Sequence, residues 1–312
     1  MIDNAQSLKD KAKNFANQNN LKVQVVLQNF MFERFLDRLS KSKYKNNFII
    51  KGGFLLSSIM GIEMRSTMDI DANITGIDFT EEQIKKILVD ISLINLDDNV
   101  SFSIDKENII REDNEYGGYS FKIIGKIFNI VIPFHIDIST GDIITPRAIE
   151  YKYKTILEND YIELYTYNYE TIIAEKLQTI LARGISNSRM KDYYDLYYFV
   201  TYKWNDVNKN TLKNAINTTF YHRNTKSDLE NFENIISIIE KTEIMKSRWK
   251  SYQEKFIYAS NVKFEDTIVA IKKIVNENKN WYTNIKHTYI DDLKIIRCKT
   301  VNILTTFFKK TT

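Results

Sequence analysis

Residues 48–72 read FIIKGGFLLSSIMGIEMRSTMDIDA, and the pattern within this stretch decides the fold. The apolar run at 48–50 predicts a buried strand. Gly52 and Gly53 end that run, and the apolar segment 54–60 after them is long enough for two helical turns. Backbone N–H groups at a glycine turn that opens a helix can bind phosphate, because no side chain blocks the approach. The stretch therefore predicts a strand, a glycine turn and a helix in close succession.

Two aspartates close this stretch. Side chains alternate between the faces of a strand, so Asp69 and Asp71 are predicted to share one face. Two carboxylates held side by side repel each other unless a cation lies between them, and Mg²⁺ prefers oxygen ligands of this kind. Together with phosphate bound at the turn, such carboxylates suit metal-assisted nucleotidyl transfer. The other face of the strand is predicted to enter the core with Met68, Ile70 and Ala72.

Each of these features also has an ordinary structural explanation. A glycine pair is most often a simple turn, and an Asp-x-Asp pair at a strand edge is most often solvated. The complete order of strand, glycine pair, helix and Arg-x-Thr-x-Asp-x-Asp is much harder to produce by chance. The combination therefore favours the functional interpretation over the separate structural ones.

Lys51-Gly52-Gly53, followed by RSTMDID at 65–71, resembles the first motif of the AbiEii/AbiGii family of nucleotidyltransferase toxins. This family belongs to the DNA polymerase β-like nucleotidyltransferase superfamily, whose usual motif has serine where Gly53 stands. The resemblance implies that Asp69 and Asp71 are catalytic and hold Mg²⁺ (or Mn²⁺). It also implies that an NTP substrate is bound by Lys51, Gly52, Gly53, Arg65 and Thr67.

A further carboxylate lies in the segment FHIDISTGD at 134–142. Asp137 interrupts an apolar alternation, and a lone aspartate in mid-strand is costly to bury unless it is paired or bound to a cation. The superfamily resemblance implies that Asp137 is the third metal ligand on a neighbouring strand. The alternative is a strand-end residue that begins a Ser-Thr-Gly-Asp turn, and Asp142 is interpreted as a turn residue. His135 shares a face with Asp137 and is more often a packing or hydrogen-bonding residue.

Two helical segments carry the remaining candidates. Residues 169–183 form a predicted helix in which Lys176 and Thr179 lie on a second face beside the apolar stripe. The segment AEKL at 174–177 resembles the family's second motif, which implies that Lys176 is catalytic and meets nucleotide phosphates together with Thr179. The next predicted helix holds Asp192 and Asp195 on one face. It resembles the third motif, which implies that both are catalytic, without a ranking between them. A solvated lysine and arginine-paired aspartates are the structural alternatives.

Composition narrows the class of protein. Basic residues number 44 and acidic residues 40, giving a net charge of +4 that does not by itself indicate nucleic-acid binding. A single cysteine, Cys298, excludes an internal disulfide and a cysteine-based zinc site. No basic leader or membrane-spanning apolar run is evident, so we expect a cytoplasmic protein. Basic and aromatic residues alternate in 281–312, which indicates either an RNA contact or an ordinary surface.

The predicted class is α+β, with a polymerase β-like nucleotidyltransferase core at 1–160 and an α-helical domain at 161–312. Other elements follow from periodicity and turn signals. We predict helices at 5–19, 21–40 and 80–92, strands at 99–104 and 161–165, and a hairpin of 119–124 with 129–139 around Gly125-Lys126.

The family resemblance implies a toxin of a bacterial type IV toxin–antitoxin pair, active in abortive infection and phage defence. It further implies an AbiEi-type antitoxin encoded alongside and, because related toxins modify the acceptor end of tRNA, transfer to the 3′ end of tRNA. Two alternatives remain open. One is transfer to a protein hydroxyl (AMPylation or NMPylation), and the other is a catalytically silent nucleotide-binding regulator.

Overall fold

The computed structural model describes residue 2 and residues 4–110 and 117–277 of the chain. The described part contains a sheet of seven strands: β1 (Phe48–Lys51), β2 (Asp69–Ile74), β3 (Val100–Ile110), β4 (Gly118–Ile127), β5 (Ile130–Thr140), β6 (Ile149–Lys154) and β7 (Tyr161–Thr166). Their order across the sheet is β3-β4-β5-β2-β1-β7-β6. The sheet is mixed, because β2 runs parallel to β5 and β1 parallel to β7, whereas the other neighbours are antiparallel.

Helices precede the first strand, lie between the early strands and follow the last one. The first group is α1 (Ala5–Gln18), α2 (Val23–Ser40), α3 (Gly52–Met60) and α4 (Glu81–Ser92). The second is α5 (Tyr169–Arg183), α6 (Met190–Tyr198), α7 (Lys209–His222), α8 (Lys226–Glu230), α9 (Phe232–Lys241), α10 (Glu243–Lys255) and α11 (Phe264–Asn276). The α+β class, with helices gathered after the sheet, is confirmed. The sheet itself continues through β7, which pairs with β1.

Local signals explain where several helices begin. A polar side chain accepts a hydrogen bond from a free backbone N–H of the first turn, which stabilises the helix end. The side chains of Asn4, Thr80, Asn168 and Asn208 do this for α1, α4, α5 and α7 respectively. The predicted helix at 169–183 is confirmed, since α5 begins at Tyr169 and ends at Arg183.

The helix α2 lies in the core against the sheet. Its Phe32 ring meets Phe134 of β5 edge to face, with 5.3 Å between ring centroids, and Phe35 packs on the same ring. Glu33 is buried in this apolar layer and accepts hydrogen bonds from the Tyr153 hydroxyl and the Ile156 N–H, each at 2.8 Å. Burial raises the pKa of Glu33 to about 8.

The two faces of β2 differ in polarity, as the alternation predicts. Ile70 and Ala72 are buried, whereas Asp69 and Asp71 lie on the opposite, half-buried face. The prediction for Met68 is wrong, because its side chain is 50% exposed. Met68 comes before the first residue of β2, so the alternation of the strand does not govern its direction.

The hairpin prediction is also corrected. Its turn lies at Phe128 and Asn129, where Phe128 has φ 52°, and not at Gly125-Lys126. Gly125 pairs with Ile132 inside the ladder. A Cβ at this position would lie 2.8 Å from the Met31 sulfur, so this glycine marks close packing on α2 and not a turn.

Other differences concern strand lengths and ranges. β3 runs to Ile110, beyond its predicted end at 104, and β6 was not predicted. Cys298 and the basic, aromatic segment 281–312 lie outside the described residues. Within the described part of the chain, every helix is too short or too polar to cross a lipid bilayer.

Candidate active site

The glycine turn brings the start of α3 against β2. Gly52 has φ +65°, and a Cβ there would lie 1.9 Å from an Asp71 carboxylate oxygen. The Gly53 N–H donates to that same oxygen, Oδ2, at 3.1 Å. A Cβ at Gly53 would lie 2.5 Å from the Thr67 hydroxyl oxygen. Glycine is therefore required at both positions, because any side chain would separate the helix from the strand that carries the carboxylates.

Three carboxylates lie on adjacent strands. Asp71 of β2 pairs in register with Asp137 of β5, and Asp69 pairs with His135. Asp137 accepts a 2.6 Å hydrogen bond from the Ser120 hydroxyl, and His135 Nδ1 lies 3.6 Å from Asp69 Oδ1. Burial raises the pKa of Asp69, and the negative charges of Asp137 and Asp71 raise it further.

This carboxylate group has the chemistry of a divalent-cation site. In the residues that the structure describes, no three His, Cys, Asp or Glu side chains are gathered closely enough to form a ready metal cluster. Asp71 and Asp137 are instead turned onto the Gly53 N–H and the Ser120 hydroxyl. The donor set nevertheless fits Mg²⁺ or Mn²⁺, because it consists of carboxylate oxygens. The raised pKa of Asp69 also reflects a repulsion that a cation between them would offset.

A buried cluster of ion pairs joins α5, α6 and the segment before β2. Lys176 Nζ lies 2.9 Å from Asp192 Oδ1 and 2.6 Å from Asp195 Oδ2. Arg65 Nε lies 3.0 Å from Asp195 Oδ1, and Arg189 Nε lies 2.8 Å from Asp192 Oδ2. Asp195 thus connects α6 to Arg65, whereas Asp192 connects Lys176 to the exposed Arg189.

Electrostatics keeps this cluster ionised. Burial alone would raise the pKa of Asp192, but the positive charges of Lys176 and Arg189 outweigh it and hold that pKa well below its usual range. Burial alone would lower the pKa of Lys176, and the charges of Asp192 and Asp195 raise it instead. Because Lys176 stays protonated, it is a fixed positive charge within this cluster.

Two of the predicted nucleotide-binding residues make hydrogen bonds within the protein. Lys51 is buried; its ammonium donates to Ser139 Oγ at 2.7 Å, pairs with Asp142 and lies over the Tyr167 ring. Thr179 Oγ1 donates to the Glu175 carbonyl oxygen, one turn earlier in α5, at 2.8 Å. The structure thus brings Gly52, Gly53 and Thr67 to Asp71, and Arg65 and Lys176 to the aspartates of α6, while these two side chains are occupied elsewhere.

The sequence did not indicate that Asp142 pairs with the buried Lys51. Besides Lys51, Asp142 accepts a 3.1 Å hydrogen bond from the Tyr167 hydroxyl and lies 3.6 Å from Arg223 Nη2. Burial would raise the pKa of Asp142, but the Lys51 ammonium outweighs it and holds the pKa below its usual value. The Ser-Thr-Gly-Asp segment looks locally like a turn, and Lys51 lies 91 residues away, so no short motif marks this pairing.

The strand carboxylates and the first turn of α6 lie within range of each other's charge. The negative charge of Asp71 raises the pKa of Arg189, although Asp192 contributes more, and the positive charge of Lys191 lowers the pKa of Asp69. A phosphate chain between these two surfaces would meet cations on one side and metal-binding oxygens on the other. Such an arrangement suits positioning and charge stabilisation in phosphoryl transfer.

Comparison with known families gives the class. A family model described as "Nucleotidyl transferase AbiEii toxin, Type IV TA system" matches residues 34–270. The matched range is most of the chain and includes every candidate site residue named above. The protein is therefore a nucleotidyltransferase. It belongs to the AbiEii toxin family of type IV toxin–antitoxin systems, as the motif resemblance predicted.

Two solved structures that are similar to this chain come from Helicobacter pylori. One is described as a candidate nucleotidyltransferase; it has 14% sequence identity and a TM-score of 0.48, covering 84% of this chain and 97% of that chain. The other is JHP933, with 12% identity and a TM-score of 0.47, covering 88% and 99%. A comparison with curated proteins gave no significant match.

Proposed function

We propose that this AbiEii-family enzyme transfers a nucleoside monophosphate from an NTP to an RNA hydroxyl, with the 3′ end of tRNA as acceptor. The observation that carries the proposal is the opposition of two surfaces. Asp69, Asp71 and Asp137 lie on paired strands, and the Arg65–Asp195 ion pair joins the segment before β2 to α6, whose first turn carries positive charge. A nucleoside triphosphate with its divalent cation matches both surfaces in charge.

In the proposed step, the acceptor hydroxyl oxygen attacks the α-phosphorus and forms a new P–O bond. The bond from the α-phosphorus to the bridging oxygen breaks, and pyrophosphate leaves with that electron pair. The hydroxyl proton is released to solvent. A bound Mg²⁺ (or Mn²⁺) held by Asp69, Asp71 and Asp137 would polarise phosphate oxygens and offset the developing negative charge.

The chain's own residues have distinct proposed roles. Gly52 and Gly53 let the backbone approach the phosphates without steric hindrance. Lys176 stabilises negative charge on the leaving pyrophosphate, since a fixed cation in a partly dehydrated site acts more strongly than one in water. Asp192 and Asp195 hold Lys176 in place through the ion pairs described above, and Asp195 also holds Arg65.

The choice of acceptor and partner rests on family likeness. Related toxins modify the acceptor end of tRNA, and this supports tRNA here. Membership of a type IV toxin–antitoxin family implies an antitoxin partner. We propose that this antitoxin is of the AbiEi type and is encoded alongside, within an abortive-infection system directed against phage.

The test is incubation with each α-³²P-labelled NTP, Mg²⁺ and total bacterial RNA, followed by separation of RNA from protein. Asp69→Ala serves as the loss-of-charge variant. Asp78→Ala is its matched control, because Asp78 is an exposed aspartate in the loop before α4. We expect label in a tRNA-sized band with the wild-type protein and Asp78→Ala, none with Asp69→Ala, and none after chelation of the divalent cation.

The other outcomes separate the alternatives. Stable label in the protein fraction would replace RNA with a protein hydroxyl as acceptor. No label in either fraction would leave a nucleotide-binding regulator as the better account. Label that persists undiminished in Asp69→Ala would contradict the assignment of the carboxylate strand as the reaction centre.

A further inference from the structure

The first turn of α6 carries a positive charge that the internal ion pairs do not use. Lys176, Arg65 and Arg189 each lie within 3.0 Å of a carboxylate oxygen of Asp192 or Asp195. Lys191 lies on the same turn, its side chain is exposed, and among the described residues no carboxylate is within ion-pair distance of it. We infer that Lys191 is a phosphate-binding residue that contacts the triphosphate of the nucleotide substrate. This inference rests on the proposed function.

The ion pairs of α6 locate Lys191 relative to the strand that carries the carboxylates. Lys191 lies one helical turn before Asp195, and Asp195 pairs with Arg65 in the segment that leads into β2. Limited hydration lowers the pKa of Lys191, and the positive charges of Arg189, Arg65 and Lys176 lower it further. Lys191 is therefore close to the buried cations, while solvent still reaches it.

The balance of charge on the helical side favours an anion. Four cations, including Lys191, face two carboxylates there, and those carboxylates are already shared among the other three cations. Like charges held together without a counterion repel one another. A bound polyphosphate would relieve that repulsion, and Lys191 is the cation of the group that can turn toward it without breaking a buried ion pair.

The position of Lys191 favours the nucleotide over the acceptor as the source of phosphate. The Arg65–Asp195 ion pair joins α6 to the segment that leads into β2, where Asp69 is a proposed metal ligand. A divalent cation held there would bind the triphosphate of the nucleotide. The RNA backbone offers the same phosphate chemistry, so the experiment must separate the two sources.

The experiment titrates non-transferable α,β-methylene analogues of the four NTPs into the protein with Mg²⁺, by calorimetry and without RNA. The variants are Lys191→Ala, Lys191→Arg and the matched control Lys86→Ala, an exposed helical lysine of α4. We expect Lys191→Ala to weaken triphosphate binding about tenfold, the factor that corresponds to about 1.4 kcal/mol. Lys191→Arg and Lys86→Ala should bind within about threefold of wild type, equivalent to less than about 0.7 kcal/mol.

A second measurement distinguishes a phosphate contact from a structural role. Binding of nucleoside monophosphates should differ by less than about twofold between wild type and Lys191→Ala, because the lost contact involves the outer phosphates. Because Lys191 is exposed, the far-UV circular dichroism spectrum of Lys191→Ala should match that of wild type.

The outcomes that overturn the inference are distinct from those that overturn the proposed function. If wild type binds the triphosphates and Lys191→Ala binds them equally well, the role of Lys191 is refuted while the proposed function stands. If Lys191→Ala loses tRNA binding in a gel-shift assay but keeps nucleotide affinity, Lys191 belongs to the acceptor site and the inference is again refuted. If wild type binds no nucleotide, both fail.

Discussion

Replacing Asp195 with asparagine removes the negative charge between two buried cations. The Asp195 side chain is wholly buried, 2.6 Å from Lys176 Nζ and 3.0 Å from Arg65 Nε. Asparagine keeps the shape but not the charge, so Arg65 loses its paired carboxylate, although its hydrogen bond to the Ser66 carbonyl oxygen at 2.9 Å remains. Removing one member of a buried ion pair costs about 3 to 5 kcal/mol, because the remaining charge stays desolvated. Since Lys176 keeps Asp192, we expect about 3 kcal/mol, the lower end of that range.

Asp192→Asn is the matched comparison, because it alters the other carboxylate of the same helix face. Lys176 then keeps Asp195, and Arg189 is 42% exposed, so water can solvate the partner that Asp192 leaves behind. We expect a loss of about 1 to 2 kcal/mol for this variant. The two aspartates, equivalent in the sequence motif, should therefore differ in their contribution to stability.

Urea unfolding followed by circular dichroism measures this difference. With an m-value of about 3 kcal/mol/M, a loss of about 3 kcal/mol moves the midpoint down by about 1 M, and Asp192→Asn should move it by about half as much. The exposed Asp78→Asn should leave the midpoint unchanged. A midpoint for Asp195→Asn equal to that of wild type, or lower stability in Asp192→Asn, would refute the reasoning.

Three further predictions use single changes elsewhere. Gly52→Ala combines φ +65° with the 1.9 Å clash and should lower the free energy of unfolding by about 2 to 4 kcal/mol. Gly184→Ala, at φ +49° with no atom within 4 Å of the added Cβ, should lower it by only about 1 kcal/mol, and thermal melting of both variants measures the difference. Glu33 has a pKa of about 8 in the folded protein against 4.5 ordinarily, so between these values the folded protein holds a proton that the unfolded chain releases. The contribution of Glu33 to stability is therefore complete below pH 4.5 and is lost as the pH rises through about 8. Unfolding free energy should thus fall by up to about 1.4 kcal/mol per pH unit in that window, and an unchanged slope in Glu33→Gln would contradict this. Asp142→Asn leaves the buried Lys51 ammonium without its anion and should lower the free energy of unfolding by about 1 to 3 kcal/mol at pH 7. Because the pKa of Asp142 is lowered in the folded protein, the stability difference from wild type should shrink as the pH falls in acid unfolding titrations. A difference that stays constant with pH would count against this role of Asp142.

The succession of β1, α3 and β2 could be predicted from sequence because its signals are local. Apolar runs and glycines mark β1, α3 and β2 within one continuous stretch, and period-two alternation places Asp69 and Asp71 on one face. The same alternation identified Asp137 as an unusual polar residue in mid-strand, and the structure places it opposite Asp71. Strand periodicity ends at the strand boundary, however, which is why Met68 was assigned wrongly.

The remaining features depend on contacts between distant parts of the chain. Gly125 resembles a turn residue until Met31 is known to pack against it. Nothing near Lys51 in the sequence indicates that Asp142 pairs with it, and the spacing around Lys176 does not show that both aspartates of α6 contact it. Each of these depends on which elements pack together, and short-range spacing carries no record of that.

The ion pair between Arg65 and Asp195 joins positions 130 residues apart. A growing polypeptide therefore cannot close this centre until α6 has emerged from the ribosome, although the glycine turn and the first two carboxylates are made much earlier. Chains interrupted anywhere before that point would hold the strand aspartates but lack Lys176 or its two anchors. For a member of a toxin family, incomplete synthesis would yield fragments without the assembled form of the proposed reaction centre.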